Sequence, residues 1–182
     1  AMVSITIFAG AIMQFPAGRL SDTMDRRYVL AGLSTAAALA GLAVALIRPQ
    51  GVYDIVVLVA IYGAAANALY PIAVAHANDF AAPEDFVKVS SGLLLLYGIG
   101  TIIGPSVGGP VMSWAGPHAL FAVTALAHVL IATYAIIRSR RRAAVPAAER
   151  EVYSTGPSST GTLATPQSVS LDPRAKPETG RR

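Results

Sequence analysis

Charge is missing from long stretches of this chain. Residues 1–18 and 28–47 contain no Asp, Glu, Lys or Arg, and residues 89–137 run for 49 positions without one. About 20 helical residues at 1.5 Å rise cross the ~30 Å hydrocarbon core of a bilayer. Each short run therefore matches one membrane span and the long run matches two. In lipid every backbone polar group must find its partner within its own segment, so the spans are expected to be helices. A closed β-barrel would alternate apolar and polar residues, whereas these runs are apolar all round. Residues 55–75 supply a further uncharged run. Trp114-Ala-Gly-Pro117 divides the longest one, because adjacent Gly and Pro mark a turn. The expected fold is an all-α integral membrane protein with spans at about 2–17, 28–47, 55–75, 89–113 and 118–137.

Only 13% of the 182 residues are charged, about half the usual share for a soluble domain. That charge is unevenly placed. Residues 1–137 carry five Lys/Arg and six Asp/Glu, and residues 138–182 carry nine and four. The pI near 9.7 thus belongs to the end of the chain. A basic segment directly after a span reads as a topology signal rather than a nucleic-acid site, so no nucleic-acid partner is expected. From Ala143 onward Ser, Thr, Pro and Gly dominate. Such a segment buries too little apolar surface to offset its ordering entropy, and 143–182 is expected to be a disordered tail. Without cysteine there is no disulfide, no Cys metal site and no thiol nucleophile. The first apolar run has no basic stretch before it and no small-residue cleavage site after it, unlike a signal peptide. It reads as part of a longer chain whose upstream portion is missing.

Orientation follows from loop charge. Arg19, Arg26, Arg27, Lys88, Arg138, Arg140, Arg141 and Arg142 fall on one side of the expected bundle, and only Arg48 falls on the other. The positive-inside rule puts the first group, and the C-terminus, in the cytoplasm.

The charged connection between the first two spans is Gly18-Arg-Leu-Ser-Asp-Thr-Met-Asp-Arg-Arg27. Gly18 allows a tight turn or a close backbone approach. Asp22 can accept hydrogen bonds at a neighbouring helix N-terminus, where the dipole favours an anion. Arg26 and Arg27 open the next helix and can pair with carboxylates or lipid phosphates. The spacing Gly18, Asp22, Arg26, Arg27 resembles the cytoplasmic loop signature of the major facilitator superfamily of secondary transporters. The family usually has Gly where this chain has Asp25. The resemblance implies that this loop latches one half of a transporter against the other, and that the latch breaks as access changes.

A second pattern, Gly100-Thr-Ile-Ile-Gly104-Pro-Ser-Val-Gly108-Gly109, places Gly100, Gly104 and Gly108 on one helix face. Such a face permits close helix contact, and Pro105 removes a backbone bond and bends the helix. The pattern resembles the superfamily's Gly/Pro signature, in the pseudo-symmetric copy found in the second half of the fold. One span precedes the charged loop and four follow it. In a twelve-helix transporter that position belongs to the loop between helices eight and nine. The resemblance thus covers residues 1–142 as helices eight to twelve, and implies a small-molecule solute, proton coupling as one option, and a missing N-terminal half as partner. Residues 70–79 look like one bacterial branch, which implies the inner membrane.

Polar residues inside spans are expensive and often functional. Here they are Gln14, Tyr62, Asn67, Tyr70, Tyr97 and His128. By resemblance, helices eight, ten and eleven face the central cavity, which leaves Gln14, Asn67 and Tyr97 as substrate-contact candidates. The plainer reading of Asn67 is a helix–helix hydrogen bond, and that of the tyrosines is packing or interface anchoring. For His128 packing is preferred. His76, Asn78 and Asp79, near Glu84 and Asp85, read as a solvated loop in preference to a gate, and Asp54 suits the outer N-terminus of its helix. No carboxylate stands within a span, so if the intact transporter is proton-coupled its proton-carrying group is expected in the missing half. No catalytic motif or clustered metal ligand is present, so neither enzymatic activity nor a cofactor or metal is expected. The alternatives are a complete five-span membrane scaffold or assembly protein, and a lipid-binding regulator acting through its basic tail.

Overall fold

The computed structural model describes residues 2–82 and 85–141. Glu84, Arg142 and the expected tail at 143–182 lie outside the described residues. Those described form five α-helices and no strand: α1 (Met2–Thr23), α2 (Arg26–Ile47), α3 (Val52–Asn78), α4 (Phe86–Ala115) and α5 (Ala119–Arg141). All five are long and apolar enough to cross a membrane.

The helix ends have local causes. Asp25 caps α2 by accepting a hydrogen bond from the Arg27 backbone N–H at 3.0 Å, which satisfies one of the orphan donors of the first turn. Arg48 ends α2 in the left-handed region, and its N–H returns to the Val44 carbonyl. Gly116, at φ 87°, ends α4 and bonds back to Met112. This left-handed turn is open to glycine without steric cost.

One boundary departs from the expected span at 2–17. Helix α1 continues through residues 18–23, so only Met24 and Asp25 connect it to α2. The Ser21 and Thr23 hydroxyls donate back to the Gly18 and Leu20 carbonyls. Asp22 and Arg26 lie within ion-pair reach across the two-residue link. The charges of this segment therefore extend a helix rather than interrupt it.

Packing centres on α2 and α3. Helix α3 lies along α1 and α2, while α2 also lies along α5; α4 touches the rest lightly. The core contains Ala17, Val29, Leu33, Ala37, Ala65, Ala68 and Ile72. Small residues suit a bundle in lipid, where close van der Waals packing drives helix association. Gly63 of α3 is one such point: a Cβ there would overlap the Thr6 backbone of α1. Large exposed apolar side chains such as Leu94, Leu96, Ile102 and Leu130 fit a lipid solvent.

Candidate functional site

The charged signature folds into a clasp. Arg26 is 1% exposed, and its Nε donates to Asp79 Oδ2 at 2.9 Å. Its Nη1 reaches Ser21 Oγ at 3.1 Å and Asp22 Oδ1 at 3.4 Å. One guanidinium thus joins the end of α1, the start of α2 and the end of α3. The Asp79 side chain is 3% exposed, so it belongs to a buried ion pair, which corrects the expectation of a solvated loop. Its position after the last turn of α3 brings it beside the start of α2.

Arg27 makes the second half of the clasp. Its Nε lies 3.0 and 3.1 Å from the two Asp25 oxygens, and its Nη2 lies 2.7 Å from Oδ2. This planar fork is the strong geometry for an arginine and a carboxylate. Nη1 donates to the Arg138 carbonyl at 3.1 Å, tying in the last turn of α5. Asp25 thus serves as both helix cap and Arg27 partner, two roles that glycine could not fill. Burial pushes the Asp25 carboxyl up. Hydrogen bonds from the Arg27 side chain and backbone, with attraction to Arg27 and a smaller one to His76, outweigh it and hold the group below its ordinary 3.8.

Both arginines are buried against protein carboxylates. Gly18 is buried within α1. The cluster contains no nucleophile–base pair, and no group of metal-binding side chains occurs among the described residues. Its bonds fix four helix ends to one another.

The other candidates disperse over the bundle. Asn67 Nδ2 donates to the Thr6 carbonyl at 3.2 Å and to the Gly63 carbonyl at 2.9 Å, bonding α3 to α1. Gln14 is half-buried on α1, one turn beyond Gly10, which abuts Asn67. Tyr97 of α4 lies 5.2 Å from the Tyr70 ring of α3. In the Gly/Pro pattern, a Cβ at Gly108 would meet Leu120, while a Cβ at Gly100, Gly104 or Gly109 would point into open space. Helix α4 runs through Pro105 and Pro110 without ending. His128 is 9% exposed, holds the Thr124 carbonyl at 2.6 Å and meets the Tyr62 ring edge-on. At the opposite end from the clasp, Val3, Val59, Tyr62 and Phe121 line an apolar cavity of about 470 Å³.

A family model described as Major Facilitator Superfamily matches residues 1–176. The chain belongs to the major facilitator superfamily. Among its curated relatives, an uncharacterised MFS-type transporter of Yersinia pestis (strain Pestoides F) is 28% identical over 123 residues, covering 68% of this chain and 31% of the relative. The uncharacterised MFS-type transporter YcaD of Salmonella arizonae is 30% identical over the same length and coverage. The chain thus spans about a third of the length of these relatives. No solved structure matches it. The family and the five long apolar helices make this superfamily member a multi-pass membrane protein.

Ser21, Asp79 and the Arg138 carbonyl were missed as clasp partners by sequence reasoning. Asp79 carried a signal. An acidic residue at the end of the third span lies on the same side as the two arginines whenever spans alternate in direction.

Proposed function

We propose that this chain forms the C-terminal part of a secondary transporter, carrying helices eight to twelve of twelve. It moves a small solute by alternating access together with a missing N-terminal half. The observation that carries this reading is the clasp. Rocking of one half against the other needs helix ends that move as a body, and Arg26 and Arg27 bind those of α1, α2, α3 and α5 together. Gly18, Asp22, Asp25, Arg26 and Arg27 then form the cytoplasmic latch. The two arginines brace it from within. Asp22, at 22% the most exposed of its carboxylates, meets a helix N-terminus of the other half. Gly100, Gly104, Pro105, Gly108 and Gly109 give α4 a bendable face, on which Gly108 admits Leu120. Gln14 and Tyr97 are the transporter's substrate contacts, and Asn67 serves the α1–α3 packing. The C-terminus and the tail at 143–182 lie in the cytoplasm, and the membrane is a bacterial inner membrane. Coupling to protons, if the whole protein uses it, resides in the missing half.

The test begins with the DNA upstream of the Ala1 codon. The expected result is an in-frame extension of roughly 200 residues or more encoding seven further spans, at ~20 residues per span plus loops. The 182-residue chain alone should move no solute in liposomes above empty vesicles. Transport by this chain alone would overturn the partial-transporter reading. A stop codon followed by a start signal just before Ala1 would favour a membrane scaffold.

A further inference from the structure

Where the ends of α2, α3 and α5 meet, Arg27, His76, Phe80, Tyr134 and Arg138 line a hollow of about 330 Å³. The two arginines differ in their electrostatic state. The Arg27 charge is met by Asp25. Arg138 gives only its backbone carbonyl to the clasp, and among the described residues no carboxylate pairs with its guanidinium. Arg140 and Arg141, exposed on the same final turn, add to the positive charge there.

Helix α5 also carries a graded strip that leads to this hollow. Leu126, Leu130 and Tyr134 recur every fourth residue and are 61%, 62% and 67% exposed. Arg138 is the next position in the same row. Residues four apart are neighbours along an inclined row of the helix surface, so this row reads leucine, leucine, tyrosine, arginine toward the helix end. A lipid leaflet has the same order, from acyl chain through the interface, where tyrosine settles, to the headgroup. A soluble anion would have no use for the leucines.

We propose that the hollow between α2, α3 and α5 seats the phosphate of an anionic phospholipid, with its acyl chain along Leu130 and Leu126. Arg138 supplies the charge, Tyr134 and His76 supply hydrogen bonds, and the Arg27–Arg138 bond fixes the distance between the walls. Basic pockets between helices at a membrane surface have this capacity. The site depends on the chain being in a bilayer and not on what the protein transports.

The test uses the full chain in neutral detergent with equal amounts of phosphatidylglycerol and phosphatidylcholine, bound lipid being counted by native mass spectrometry. The expected result is selective retention of phosphatidylglycerol, resistant to excess inorganic phosphate. Arg138→Gln lowers that preference roughly fivefold, the effect of one surface cation. Its backbone bond to Arg27 is kept, so folding is preserved, and Arg138→Lys restores most of the preference. Leu130→Asn weakens retention with the charges intact. Equal retention by the original chain and Arg138→Gln would overturn the proposal. Displacement by inorganic phosphate together with indifference to Leu130→Asn would also overturn it, by making this a free-anion site.

Discussion

Replacing Arg26 by Met removes the centre of the clasp while keeping much of its aliphatic volume. The cost comes from what remains. Asp79, 3% exposed, loses the guanidinium 2.9 Å away, and Ser21 and Asp22 lose the same partner. Breaking a buried ion pair from one side costs about 3–5 kcal/mol, because the remaining charge loses its nearest counter-ion. For a chain of this length, 1 kcal/mol corresponds to roughly 2–4 °C, so the apparent melting temperature should fall by about 6–20 °C. Asp79→Asn should cost less, about 1.5–3 kcal/mol, the scale of a hydrogen bond to a charged group. Arg26 would still have Asp22, and the amide oxygen can still accept. The decisive variant is Arg26→Met with Asp79→Leu, which removes both charges. Replacing a buried pair by apolar residues is often neutral or better, so the double variant should be more stable than Arg26→Met alone. The assay is thermal unfolding in detergent followed by size-exclusion chromatography. A fall under about 2 °C for Arg26→Met, less than 1 kcal/mol, would refute the reasoning. Strictly additive losses in the double variant would refute it as well, because residues in contact should couple by about 0.5–3 kcal/mol.

The Asp25–Arg27 pair has a defined pH window. The folded carboxyl titrates below its ordinary 3.8, so its contribution is fully present above that value and is lost as pH falls through the lower folded one. A melting series across pH 5–8 should show no step from this pair, and Asp25→Ala should lower stability throughout that range, by about 1 kcal/mol for the cap alone. Asn67→Ala removes two bonds to backbone carbonyls and should cost about 0.6 kcal/mol, the average for hydrogen bonds between membrane helices. Gly63→Leu should separate α1 from α3, because its side chain would need the space of the Thr6 backbone; loss of a disulfide engineered between those helices would report it. The chain has no natural cysteine, so Tyr53→Cys and Ser139→Cys can be labelled individually in whole cells. An impermeant maleimide should reach position 53 and miss position 139 if the C-terminus is cytoplasmic.

The helices were legible because their cause is local. Absence of charge over a span's length, and Gly next to Pro at 116–117, are properties of neighbouring residues, and α4 does end at Ala115. The clasp was legible only on one side. Spacing marks Gly18, Asp22, Arg26 and Arg27, but the partner of Arg26 lies 53 residues away and that of Arg27 on α5 lies 111 away. Nothing periodic connects those positions, and helix packing alone brings them together. Composition also misjudged residues 18–23. Charged residues inside a helix end look like a loop until their partners are known.

Arg26 and Arg27 therefore have two physical roles at different stages of the protein's life. Before tertiary contacts form, both guanidiniums count toward the loop charge that the positive-inside rule reads. After folding, Asp79 and Asp25 compensate them. Lys88 is matched by Asp85 at 2.7 Å, and Arg19 lies over the Phe15 ring at 4.1 Å. Among the described residues, the arginines at this end in no ion pair are Arg19 and those closing α5, Arg138, Arg140 and Arg141. Counting loop charges gives all these residues equal weight, which is right for topology and wrong for binding. A variant that neutralises Arg26 should therefore disturb packing, whereas one that neutralises Arg138 should leave packing intact and change what the surface attracts.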